Sequence, residues 1–193
     1  ATFNAVFVQS PIIDLGQNQS VCDGGSVLLN ATPSNSGDYD TLTYEWTDGD
    51  GLEVPGVGNS STANLPEGEY TVVVTGVYTD ANSGDVITCS GTNTVFVEDV
   101  TYTVDLGADQ FNCDDVASEL TAVVSGEDAS NATYQWYLGG VAITGETGAT
   151  YTPVAEGVYT VEVSIEGCVK TDEVSILLDL TPQVDLGGDQ VTC

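Results

Sequence analysis

At 193 residues, 41% of them hydrophobic, the chain is long enough to bury the core of one large domain or two small ones, and no apolar run approaches a membrane span in length. Thirty Asp and Glu against one basic residue, Lys170, give a net charge of −29. That balance excludes nucleic acid and anionic membrane as partners, because both are held by Lys and Arg displacing counterions, and leaves cations as the natural small partners of a surface whose acidity also keeps it soluble.

The chain opens without a positively charged segment ahead of an apolar block, so no secretion signal is read and Ala1 is expected to be a point inside a longer chain. Ala5-Val6-Phe7-Val8 matches Thr94-Val95-Phe96-Val97 in its position before the next Asp-Leu-Gly, which predicts that residues 1–11 are the last strand of a preceding repeat. Asp14-Leu15-Gly16 through Cys22 then opens a pattern that returns from Asp105 to Cys113 and again from Asp185 to Cys193. Repetition at this length means an array of domain-sized units. The expected divisions are a repeat over 12–100, a second over 101–180, and the first strand of a following repeat over 181–193. Inside each unit the landmarks hold register: Cys22, Trp46 and Tyr70 follow one another at the spacing of Cys113, Trp136 and Tyr159, to within one residue. Asp14, Asp105 and Asp185 read as side-chain caps on a strand bend rather than as ligands.

Along the first unit, Asp48, Asp50 and Glu53 lie in Asp-Gly-Asp-Gly-Leu-Glu, where alternate carboxylates with glycines between them can turn inward on calcium. The competing reading is a tight turn between two strands, favoured because the second unit has Trp136-Tyr137-Leu138-Gly139-Gly140 there and no acids. Tyr70, Val72 and Val74 alternate with polar or second-face residues, as do Tyr159, Val161 and Val163, so both segments are predicted half-buried antiparallel strands. The first unit carries ten extra residues between Tyr70 and its next cysteine. They predict a lengthened hairpin turning at Ala81-Asn82-Ser83-Gly84, with Cys89 opposite Gly76 as Cys168 is opposite Ile165. The hairpin tip is expected to point toward the preceding repeat, with Tyr78 and its neighbours bracing that junction near Pro11. No helical periodicity of useful length is found, and the fold class is all-β.

Trp in the third strand followed by Glu67-Gly68-Glu69-Tyr70, or by Glu156-Gly157-Val158-Tyr159, is the pattern of an immunoglobulin-like sandwich with a tyrosine corner. With Asp-Leu-Gly-x-Asp-Gln and Tyr44-Glu45-Trp46-Thr47-Asp48-Gly49-Asp50-Gly51, the chain resembles PKD and related immunoglobulin-like repeats of giant surface adhesins of the Bacteroidetes, the SprB-type gliding-motility adhesins among them. The resemblance implies tandem PKD-like β-sandwiches forming an elongated rod, exported to the cell surface as a stalk or filament. Its partners would be neighbouring repeats of the same chain, and surface glycans or other adhesin chains where loops make contact. A structural spacer and a ligand-binding module both remain open. Asp40-Thr41-Leu42 resembles the site at which Bacteroidetes attach O-glycans, which makes Thr41 a glycosylation candidate.

Catalysis is not expected, since there is no His for a Ser-based triad and the many carboxylates single out no acid-base pair. Calcium is the one cofactor considered. Five cysteines without a Cys-x-x-Cys pair read as disulfide partners in an oxidising, extracellular setting. Two schemes are open. One pairs cysteines within each repeat, Cys22 with Cys89 and Cys113 with Cys168. The other, favoured because Cys22 lies roughly 25 Å along the first strand from the end where Cys89 sits, joins Cys22 to Cys168. It then leaves Cys89 for the repeat before and Cys113 and Cys193 for the repeats after.

Overall fold

The computed structural model describes residues 6–112, 117–127 and 129–178. The chain divides into two compact units, Ala1–Thr101 and Tyr102–Cys193. The expected strand over 181–193, with Asp185 and Cys193, lies outside the described residues, as do Cys113 and Ala5.

In the first unit the strands are β1 (Gln19–Cys22), β2 (Val27–Asn30), β3 (Thr41–Asp48), β4 (Thr62–Leu65), β5 (Gly68–Thr79) and β6 (Val86–Val100). One sheet runs β1-β6-β5-β3, and β2 pairs antiparallel with β4 in the facing layer. β5 is buried at every second residue because Tyr70, Val72 and Val74 point inward, as the alternation predicts. They meet Trp46 from β3, Val95 and Val97 from β6, Leu29 from β2, and Ala63 and Leu65 from β4 in one core. Burying side chains of this size stabilises by roughly 1.5–3 kcal/mol each before ordering costs.

The second unit repeats the plan with β7 (Thr103–Asp105), β8 (Gln110–Asn112), β9 (Leu120–Thr121), β10 (Val123–Ser125), β11 (Thr133–Leu138), β12 (Val141–Ala142), β13 (Thr150–Tyr151), β14 (Gly157–Ile165) and β15 (Cys168–Leu178). Its main sheet runs β12-β11-β14-β15-β8; β13 pairs with β9 and β10 with β7. Trp136, Tyr159, Val161, Val163, Val174, Ile176 and Leu120 are buried. This is an immunoglobulin-like β-sandwich built twice.

Two expectations change. The first strand of each unit does not run unbroken from the opening Asp to the Cys. Gly16 takes φ +83° and Gly107 φ +80°, left-handed values that break an extended strand, and the Asp two residues earlier accepts each glycine N–H through Oδ1 at 2.8 and 2.7 Å. The stretch after the bend pairs parallel to the last strand, Gln19 with Val97 and Gln110 with Ile176, while in the second unit the stretch before it, β7, pairs antiparallel with β10 in a separate sheet. Residues 6–11, expected as a strand, form none. Their carbonyls are taken by side chains of the first unit instead: the Tyr39 hydroxyl donates to Gln9, and Asn35 Nδ2 donates to Ser10 at 3.2 Å.

Candidate functional site

Each unit is organised on a buried Trp and a corner Tyr. Trp46 donates its indole N–H to the Ser60 carbonyl at 2.8 Å, and Trp136 donates to Gly148 at 2.9 Å. Both rings are thereby buried with their one polar atom satisfied. Tyr70 donates its hydroxyl to the Glu67 carbonyl at 3.1 Å, and Tyr159 to Ala155 at 2.9 Å. Burial, then the neighbouring carboxylates of Asp48 and Glu67, holds the Tyr70 phenol above its ordinary pKa. The glycine of each Glu-Gly-x-Tyr motif allows the corner to close. Gly68 and Gly157 take φ of +145° and +147°, and a Cβ at Gly157 would stand 2.7 Å from Leu138 Cδ1.

The acidic turn is held by its first residue. Asp48 Oδ1 accepts the backbone N–H of Asp50 at 3.0 Å and of Leu52 at 2.9 Å, while Gly51, at φ +78°, donates to the Asp48 carbonyl. The turn brings Glu53 back against Thr47. Asp48 is half-buried at the end of β3, whereas Asp50 and Glu53 are exposed. Among the described residues no group of three or more acidic or cysteine side chains is placed to hold a metal ion, so Asp48, Asp50 and Glu53 are not drawn together as a donor set. One oxygen of the Asp48 carboxylate, Oδ1, is taken up by the turn's backbone. In the second unit two glycines at positive φ, Gly139 and Gly140, make the corresponding turn from β11 to β12 without an acid. Thr41 is exposed at the start of β3, opposite Val77.

The lengthened hairpin has the register that the spacing predicts: Gly76 faces Cys89, and in the second unit Ile165 faces Cys168. Its tip is closed by Asp80, which is buried and accepts the N–H of Asn82 at 2.7 Å and of Ser83 at 3.2 Å. Those two bonds hold its carboxyl below the usual pKa. Tyr78 lines a cleft with Val6, Phe7 and Val8, so the hairpin flanks the lead-in segment. The lead-in is fastened by residues that the sequence reading did not single out. Asn93 Oδ1 accepts the Leu15 N–H at 3.4 Å, and its counterpart Asp172 accepts the Leu106 N–H at 2.7 Å. The buried Tyr102 hydroxyl lies 2.7 Å from the carbonyls of both Val163 and Cys168. Alternation alone marks these positions as inward-facing; a polar residue on an inward position was the signal to follow.

Cys22 and Cys168 are each disulfide-bonded. Cys89 is a free, half-buried thiol whose Sγ lies 3.8 Å from the Val8 carbonyl oxygen. The scheme joining Cys22 to Cys89 is therefore not formed.

Residues 8–97 match the family model of the PKD domain. That stretch, which lies within the first unit and spans just under half of the chain, is similar to the PKD domain. A curated relative, the highly immunogenic outer capsid protein of Enterobacteria phage T4, is 29% identical over 180 residues; the match covers 82% of this chain and 47% of that protein, so the chain spans about half of its relative's length. Among solved structures, an I-band fragment of titin is similar at 15% identity with a TM-score of 0.48, covering 90% of this chain and 67% of that one. Immunoglobulin domains 1–5 of Sidekick-1 are similar at 15% identity and a TM-score of 0.45, covering 90% and 39%. Among the described residues no helix is long and apolar enough to cross a membrane.

Proposed function

We propose that this chain is a non-catalytic, extracellular structural segment: part of the stalk of a large repetitive bacterial surface adhesin, serving attachment or gliding, in which a disulfide between Cys22 and Cys168 staples one repeat to the next. The oxidised state of both cysteines, with Cys89 left as a thiol, is the observation that carries this reading. Only Thr101 and Tyr102 separate β6 from β7, a linker too short to leave slack between two sandwiches. The phage relative is an outer capsid protein, which supports an exposed, structural setting. A staple near such a junction would pass tension through covalent bonds and hold the repeats in an extended, rod-like line, with neighbouring repeats as the principal partners. Thr41, exposed on β3, is where an O-glycan would be carried.

Digestion with an acid-directed protease under non-reducing conditions tests the reading, since Lys170 makes trypsin nearly useless. A Cys22–Cys168 peptide is expected, together with a longer contour before unfolding when reduced chains are pulled singly. Cys22 found bonded to Cys113 or Cys193 would overturn it.

A further inference from the structure

The two units differ in a coordinated way on the outer face of the main sheet. The ladders align Gln19 and Val97 of the first unit with Gln110 and Ile176 of the second. The next residue pair is therefore Ser20 and Glu98 in one and Phe111 and Leu177 in the other, and the residue before the corner Tyr is Glu69 in one and Val158 in the other. Three polar positions have become three apolar ones. Phe111 is 78% exposed, Leu177 44% and Val158 41%, and together they line a groove of about 490 Å³. The first unit shows a single Phe96 where the second has Ser175, ringed by Glu67, Glu98 and Asp99. Scattered single apolar residues are ordinary, but a contiguous cluster with a polar rim marks a contact surface.

We propose that this groove docks a basic protein segment that seats an apolar side chain between Phe111, Val158 and Leu177 and sets Lys or Arg against the rim. The rim carries Glu156 and Asp109, the latter with Oδ1 already accepting the Ser175 N–H at 2.8 Å, on a chain of net charge −29. Electrostatic complementarity thus selects a cationic partner, and a second copy of this chain would meet like charge at the same rim. The chain's own succeeding repeat is a poor occupant: the same face of the first unit precedes a further repeat and carries Ser20, Glu69 and Glu98 in place of the three apolar residues. Among the described residues β8 stands at the end of its sheet's strand order, the kind of edge beside which an extended segment can lie. This surface goes beyond the stalk reading and does not depend on the staple.

The test uses the full 193-residue chain and two labelled nine-residue peptides of equal charge, one alternating lysine with leucine and one alternating lysine with serine, followed by fluorescence anisotropy at physiological salt. The wild type should favour the leucine peptide about tenfold, the magnitude expected for burying one aliphatic side chain. F111S/V158E/L177E, which installs the first unit's residues, should bring the preference to within about twofold, with F111S alone intermediate and circular dichroism unchanged. An equal preference in wild type and variants overturns the proposal, as does absence of preference in the wild type. Concentration-dependent self-association abolished by F111S overturns it in favour of a second copy.

Discussion

Cys89 stands directly across the β5–β6 ladder from Gly76, the place that Cys168 holds opposite Ile165 on the β14–β15 ladder, yet Cys168 is oxidised and Cys89 is a thiol. The native, unreduced chain treated with iodoacetamide should be modified at Cys89, more slowly than a free cysteine in solution because its sulfur is half-buried beside the Val8 carbonyl. Cys22 and Cys168 should take label only after reduction. Label on Cys22 without reductant would mean that the oxidised pair does not persist in solution.

The Asp48 turn predicts what calcium removal does. The Asp48 carboxylate caps two backbone N–H groups, so Asp48→Ala should destabilise the first unit by about 1–2 kcal/mol, while Asp48→Asn, which keeps an acceptor oxygen, should cost less than half of that. Chelation should leave the melting midpoint of the wild type unchanged. A calcium-dependent rise of several degrees that Asp48→Asn abolishes would restore Asp48, Asp50 and Glu53 as a donor set.

Asp80 makes the hairpin acid-sensitive. Its folded pKa is depressed below the ordinary carboxylate value by the Asn82 and Ser83 N–H groups, so its ionised form is the one the fold prefers. The stabilisation is fully present above the unfolded pKa, about 3.9, and disappears as pH falls through the lower folded value. Asp80→Ala should therefore lower the melting midpoint at neutral pH, and the gap to wild type should close only below about pH 4. A gap that stays constant down to pH 2 would show that the carboxylate's charge contributes nothing there.

Repetition is what made the fold legible. Trp46, Tyr70, Trp136 and Tyr159 recur at one spacing, so the corner and the core positions could be read off, and the same comparison exposed the ten-residue lengthening and the Gly76–Cys89 register. Asp14 was read as the cap of a strand bend, and it does accept the Gly16 N–H, but the roughly 25 Å run to Cys22 was still measured as one straight strand, because period-two patterning does not register how far such a bend turns the chain. Residues 6–11 carry strand-like alternation but find Tyr39 and Asn35 side chains rather than a ladder. Phe111, Val158 and Leu177 were passed over for a different reason: they lie far apart in sequence, and only the β8–β15 and β14–β15 registers bring them to one face.

The lead-in segment depends on one missing side chain. A Cβ at Gly91 would overlap the Pro11 carbonyl oxygen, a backbone atom that cannot swing aside, and would stand 3.1 Å from Ile13 Cδ1. The second unit has Lys170 at the corresponding place, opposite Val163 as Gly91 is opposite Val74. Glycine there is thus a requirement of how residues 9–13 lie on the first unit, not of the sandwich. Gly91→Ala should cost about 1–3 kcal/mol, the usual range for overpacking a close contact. Gly37→Ala, where a Cβ meets nothing within 4 Å, should cost much less. Hydrogen exchange gives the specific readout. The Ile12 N–H, donated to Asn35 Oδ1 at 2.9 Å, and the Leu15 N–H, donated to Asn93 Oδ1, should lose protection in Gly91→Ala, while the Val72 and Val161 amides in the strand centres keep theirs. Uniform loss of protection across the first unit would mean instead that Gly91 supports the sandwich itself.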